Sequence, residues 1–100
     1  MKLLIESVHF TADRKLLDYI EQKLSKLDTL FDRILDVTVY LKLENSGQVR
    51  DKIIELVINV PKERLVCKAA NKSFESATVE AMESAKRQLV KYKELMRETS

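Results

Sequence analysis

Residues 37–44, Val-Thr-Val-Tyr-Leu-Lys-Leu-Glu, keep a strict alternation that sets Val37, Val39, Leu41 and Leu43 on one side. A period of two fits a β-strand with one face buried and fits no helix. Asn45-Ser-Gly47-Gln follows with the only glycine of the chain and reads as a hairpin turn. The return strand spans about 49–60, with Ile54, Leu56, Ile58 and Val60 facing the same side. A long hairpin with one apolar face needs a second layer to cover it, which constrains everything before and after it.

Two amphipathic helices are available for that layer. Leu3, Leu4, Ile5 and Val8 suggest a short first strand, and Thr11 is a plausible N-cap for the helix after it. From residue 12 to about 31, Leu16, Leu17, Ile20, Leu24, Leu27 and Phe31 recur at intervals of three and four. Lys15, Lys23 and Lys26 fall on one flank of this stripe, and Asp18, Glu21 and Asp28 on the other. After the hairpin, Pro61-Lys-Glu-Arg64 reads as a turn and residues 65–70 as a fourth strand. Ser73 is placed to cap a final helix reaching about Met96, roughly 35 Å long. Its stripe carries Phe74, Ala77, Thr78, Ala81, Met82, Ala85, Leu89, Tyr92 and Met96, with small residues where close approach is needed. The order β-α-β-β-β-α, with a right-handed first crossover, predicts an α+β two-layer sandwich. A four-stranded mixed sheet would carry both helices side by side on one face.

The composition excludes several classes. One hundred residues, 45% hydrophobic and 34% charged, suit one globular domain over 1–100 rather than a disordered chain. No apolar run approaches the roughly 18 residues of a membrane span, and Glu6 interrupts any signal-peptide core. A lone Cys67 forms no internal disulfide and offers no zinc spacing, so a cytoplasmic protein without metal or cofactor is expected. No catalytic constellation is visible. His9 has no evident nucleophile, Cys67 sits in an apolar strand, and one glycine cannot build a phosphate loop. Glu80 with Glu83, and Asp28 with Asp32, read as solvated helix faces. An enzyme acting on a small-molecule substrate is not expected.

Charge supplies the positive signal. Residues 86–97 hold five bases and one acid, a net of +4, while the rest of the chain holds 13 bases and 15 acids, a net of −2. A localised cationic surface is what a polyanion binder needs. Acids early and bases late also favour a helix through its dipole, so the pattern has an ordinary structural reading as well. Arg87 and Lys91 leave one side of the stripe, Lys86, Lys93 and Arg97 the other. With the helices adjacent, Lys23, Lys26, Arg87 and Lys91 are expected to line a groove suited to phosphates of a folded RNA. Tyr92, on the apolar stripe, reads as core rather than as a base-stacking ring. Two other functions fit the residues. One is a protein-interaction module using an exposed sheet face with Thr38, Tyr40, Ile53 and Val57, and the other is a generic double-stranded RNA binder.

Three stretches carry a resemblance over essentially the whole chain. Asp18-Tyr-Ile-Glu-Gln-Lys-Leu-Ser-Lys-Leu-Asp28 with Phe31-Asp-Arg-Ile34, then Asn59-Val-Pro61, then Lys86-Arg-Gln-Leu-Val-Lys-Tyr-Lys-Glu94 resemble the short ribosome hibernation-promoting factors, also called ribosome-associated inhibitors. The resemblance implies a β-α-β-β-β-α domain similar to double-stranded RNA-binding domains. It implies binding to the small ribosomal subunit and its rRNA, within whole ribosomes, in the channel used by messenger and transfer RNA. Hibernation under stress or in stationary phase is implied with it. The family's RNA-binding bases carry over to Lys23 and Lys26 in the first helix and Arg87 and Lys91 in the second, with Lys86 and Lys93 beside them. The chain departs from the family at Ser73-Phe-Glu75 (often Asp-Met-Tyr), at Ser84 and at Thr29, where bases are frequent. Neither the second domain of long-form members nor the acidic tail of stress-associated relatives is expected.

Overall fold

The computed structural model describes residues 1–46 and 49–98. The elements are β1 Lys2–Ser7, α1 Arg14–Leu24, α2 Leu27–Leu30, β2 Asp36–Ser46, β3 Val49–Val60, β4 Glu63–Asn71 and α3 Phe74–Glu98. The strands form one sheet in the order β1-β2-β3-β4. β1 runs parallel to β2 from Lys2 opposite Asp36 to Ser7 opposite Leu41, and the other two pairs are antiparallel. The expected α+β architecture is the observed one. Val37, Val39 and Leu41 of β2, Ile54, Leu56, Ile58 and Val60 of β3, and Leu65, Cys67 and Ala69 of β4 are all buried, so strict alternation sends one side of each strand into the core. α3 lies on β3 and β4 with α1 alongside it, and Ile20, Leu24 and Leu27 complete the same core.

α3 keeps the expected stripe. Ala77, Thr78, Ala81 and Ala85 are fully buried, and their small size brings the helix axis close to the sheet. Thr78 donates its hydroxyl to the Phe74 carbonyl at 2.6 Å, so its burial leaves no unmet polar atom. Ser73 caps the helix as expected, its Oγ accepting the Ser76 N–H at 3.1 Å.

Four local expectations are corrected. Asp13, not Thr11, caps α1: its carboxylate accepts the Leu16 N–H at 2.8 Å. Asp13→Ala should therefore cost about 1 kcal/mol in urea denaturation, whereas Thr11→Ala should leave the midpoint unchanged. The single long helix is also two. After Leu24, Ser25 Oγ donates to the Gln22 carbonyl and Thr29 Oγ1 to the Lys26 carbonyl, at 2.9 and 2.7 Å. These side chains compete for the carbonyls of the ladder, and the backbone tightens to three-residue bonds, Asp28 N–H to Ser25 O and Thr29 N–H to Lys26 O. The break does not cost the apolar stripe, since Leu27 and Phe31 are both buried.

The turn after β3 is shorter than expected. Val60 pairs with Glu63, so only Pro61 and Lys62 lie between the strands, and β4 starts at Glu63 rather than residue 65. Lys62 holds φ at +68°, the left-handed position that glycine ordinarily takes after such a proline. Leu43 is 47% exposed despite its place in the alternation. It lies past Leu41, the last residue of β2 that β1 pairs with, and its partner across the hairpin is the polar Lys52. The expected turn at 45–48 falls partly on Gly47 and Gln48, outside the described residues, with Ser46 and Val49 the last described pair.

Candidate functional site

Packing α1 beside α3 leaves a shallow groove over their seam. Lys23 and Lys26 line one wall, and Val79, Met82, Glu83 and Lys86 the other, around a volume of about 160 Å³. The Lys23 ammonium sits 5.6 Å from the centre of the Tyr19 ring, a cation–π contact that leans the chain along α1. Lys26 is the N-cap residue of α2, and its carbonyl is the one held by Thr29. The helix break thus fixes where the second lysine emerges.

The six predicted bases do not form one cluster. Arg87 and Lys91 lie with Lys86, Val90 and Glu94 on a flatter surface on the outer side of α3. At roughly 100° per residue they point about 100–140° round the helix from Lys86, away from α1. The expected groove of Lys23, Lys26, Arg87 and Lys91 is therefore replaced by one of Lys23, Lys26 and Lys86. Lys86 belongs to both surfaces and joins them into one mainly basic track, in which Glu83 and Glu94 are the acids. Lys93 is apart. Its ammonium donates to the Leu30 carbonyl at 3.4 Å and lies 5.9 Å from the Phe31 ring centre, tying α3 to the α2 turn. Arg97 lines the same end, in a wider depression of about 640 Å³ with Asp28, Asp32 and Arg33. Glu83 and the apolar floor of Val79 and Met82 were not foreseen as parts of the groove. Glu83 stands three residues before Lys86, so helical spacing alone would have put it on that wall.

The other singled-out residues are structural. Tyr92 is buried, donates to the Pro61 carbonyl at 2.6 Å and meets Phe31 edge to face at 5.5 Å. Cys67 is buried, with Gln88 Nε2 3.4 Å from its sulfur. Burial pushes its thiol pKa up, against smaller opposing effects of a Ser84 hydrogen bond and the Arg87 charge, which keeps it an unreactive thiol. Among the described residues no group of three or more His, Cys, Asp or Glu is placed to hold a metal ion, and no helix is long and apolar enough to cross a membrane. The open sheet face carries a row across all four strands, Leu4, Thr38, Val57 and Val66, with Leu4 and Val66 about half exposed at 50% and 51%. Ile53, expected on that face as a contact, is only 6% exposed.

Comparison with known proteins bears on the family and the fold. Residues 3–97 match the family described as Sigma 54 modulation protein / S30EA ribosomal protein. A ribosome hibernation promoting factor of Pseudomonas putida is 29% identical over 94 residues, covering 94% of this chain and 88% of that protein. One of Azotobacter vinelandii is 34% identical over 77 residues, covering 77% and 68%. Among solved structures, a ribosomal subunit interface protein from Coxiella burnetii superposes with a TM-score of 0.83 at 18% identity, covering 93% of this chain and 98% of that one. The N-terminal domain of Thermus thermophilus Protein Y gives 0.75 at 22% identity, covering 92% and 99%. The two structures establish a shared fold.

Proposed function

We propose that this chain, which belongs to the Sigma 54 modulation protein / S30EA ribosomal protein family, is a non-enzymatic ribosome-associated translation inhibitor that promotes hibernation. In this reading it binds the rRNA of the small subunit in the decoding channel, in the cytoplasm, and acts by occupancy. A folded domain in that space leaves no room for messenger or transfer RNA, so initiation stops without any chemistry. The observation that carries the reading is the basic track. Lys23 of α1 and Lys26 at the start of α2, with Lys86 of α3, surround a single groove, and Arg87 and Lys91 extend it round α3. All but the partly covered Lys23 are exposed, so phosphates can reach them without repacking. The names of the Pseudomonas putida and Azotobacter vinelandii relatives point to the same role.

Electrostatic binding of this kind releases counterions and weakens with salt. For five phosphate contacts, raising monovalent salt fourfold should lower affinity on the order of a hundredfold. Co-sedimentation with purified small subunits and whole ribosomes on sucrose gradients, at low and moderate salt, tests this. Co-migration at low salt that is lost at moderate salt is the expected result. A protein that stays at the top of the gradient at both salts refutes the reading. Plain duplex RNA serves as the control, since equal affinity for it and for subunits would make the chain a generic double-stranded RNA binder. The row Leu4, Thr38, Val57 and Val66, exposed at its two ends and half-buried between them, favours a second reading as a protein-interaction module, whose mark would be salt-insensitive association with a protein and none with ribosomes.

A further inference from the structure

The groove between the helices contains a residue that a simple phosphate site would exclude. Glu83 lines it together with Lys23, Lys26 and Lys86. Among the described residues no ion pair within 4.0 Å and no hydrogen bond engages the Glu83 carboxylate, whereas Asp18, Asp28 and Glu55 each form an ion pair. Its helical neighbours Lys86 and Arg87, three and four residues on, are placed for such a pair and do not close it. The neighbouring acid Glu80 differs, because it accepts the Asn71 amide at 2.6 Å. Glu83 is thus an uncommitted acceptor amid three cations, above an apolar floor of Val79, 43% exposed, and Met82.

These features together specify more than charge. A carboxylate repels phosphate and accepts hydrogen bonds only, through two oxygens. The partner that suits it is a group with paired N–H donors attached to a chain whose phosphates the lysines can hold. An unpaired guanine presents its N1–H and N2–H side by side on its Watson–Crick edge, and that edge is free only outside a duplex. The volume, about 160 Å³, is below the ~300 Å³ at which a pocket begins to enclose a whole ligand, so the groove takes a base edge and not a buried nucleotide. We infer that Glu83 is a specificity-determining residue: it accepts the Watson–Crick edge of an unpaired guanine, while Lys23, Lys26 and Lys86 hold the phosphates on either side and Val79 supports the base. This inference rests on the proposed function and refines it, since it names the kind of RNA the groove selects.

The test uses three labelled RNAs of equal length and charge, measured by fluorescence anisotropy. They are a hairpin with a guanine at the centre of its loop, the same hairpin with adenine there, and a fully paired duplex. Wild-type protein should prefer the guanine loop by about tenfold, the lower range of what one good bidentate base contact discriminates. Glu83→Ala should abolish that preference while raising duplex affinity, because a repulsive charge has gone. Glu83→Gln, nearly isosteric, should also lose most of the preference while keeping the fold by circular dichroism. Wild-type protein that binds all three RNAs alike, or none of them, overturns the inference, as does a preference retained by both variants. Co-sedimentation with ribosomes read in parallel separates the two claims: if it persists while the guanine preference is absent, only the role of Glu83 fails.

Discussion

Replacing Lys23 and Lys86 together by glutamate is expected to eliminate co-sedimentation with ribosomes and to leave the chain folded. The two lysines face each other across the groove from different helices. Reversing both turns its walls from cationic to anionic, and with Glu83 between them the groove would repel phosphate throughout. Each reversal removes a counterion-releasing contact and adds a repulsive one, so a loss of at least about a thousandfold at low salt is reasonable for the pair. Stability should change little, because neither lysine is buried and exposed substitutions usually stay within about 0.5 kcal/mol. Lys91→Glu should cost less, since Lys91 lies on the flatter outer surface and approaches the RNA from one side only. Lys93→Glu should behave differently again. It opposes a carboxylate to the Leu30 carbonyl and should loosen the α2 turn. If the Lys23, Lys86 double reversal still co-sediments normally while folded by circular dichroism, the groove is not the RNA-binding surface.

What the sequence made legible, and what it concealed, divides along a physical line. Wherever a periodic pattern met a continuous neighbour, the spacing predicts the burial: the inward residues of β2 up to Leu41, those of β3, and the stripe of α3 as far as Tyr92 are buried, with Met96 only partly so. Errors arose where a side chain competed with the backbone or where a neighbour was missing. Ser25 and Thr29 break the first helix by bonding carbonyls of the preceding turn, an effect that hydrophobic spacing does not register because Leu27 and Phe31 stay buried across the break. Leu43 obeys the alternation and is exposed all the same, because β1 has ended beside it and the residue opposite it on β3 is the polar Lys52. Ile53 disobeys in the other direction, covered on a face that is otherwise open. For the site, residue types and their location on two helices were readable, yet the grouping of the bases was not. Helical angles separate Lys86 from Arg87 and Lys91, but which flank of α3 meets α1 is decided by how the helix lies on the sheet. That same choice brings Glu83 into the groove.

Two core substitutions should separate stability from the geometry of the groove. Leu56 is fully buried at the centre of β3, opposite Val39 on one side and Cys67 on the other. Leu56→Ala should cost about 3 kcal/mol, read from the urea midpoint at unchanged slope, because the cavity adds to the lost transfer energy. That is a large part of the ~5–15 kcal/mol available to a domain of this kind. Molecules that remain folded should nevertheless bind ribosomes nearly normally, since a void between sheet and helices collapses only in part and leaves the helices close to their places. Ala85 is fully buried where α3 rests on the sheet, one residue before Lys86 and two after Glu83. Ala85→Leu adds bulk at that contact and should cost about 1–3 kcal/mol by overpacking. The smaller loss of stability should bring the larger loss of binding, because lifting this turn of α3 moves Lys86 and Glu83 away from Lys23 and Lys26. If binding per folded molecule instead tracks stability in both variants, the spacing of the helices is not what organises the groove. The opposite ranking of the two variants in stability and in binding would mean that the close approach set by alanine at 77, 81 and 85 serves recognition as well as packing.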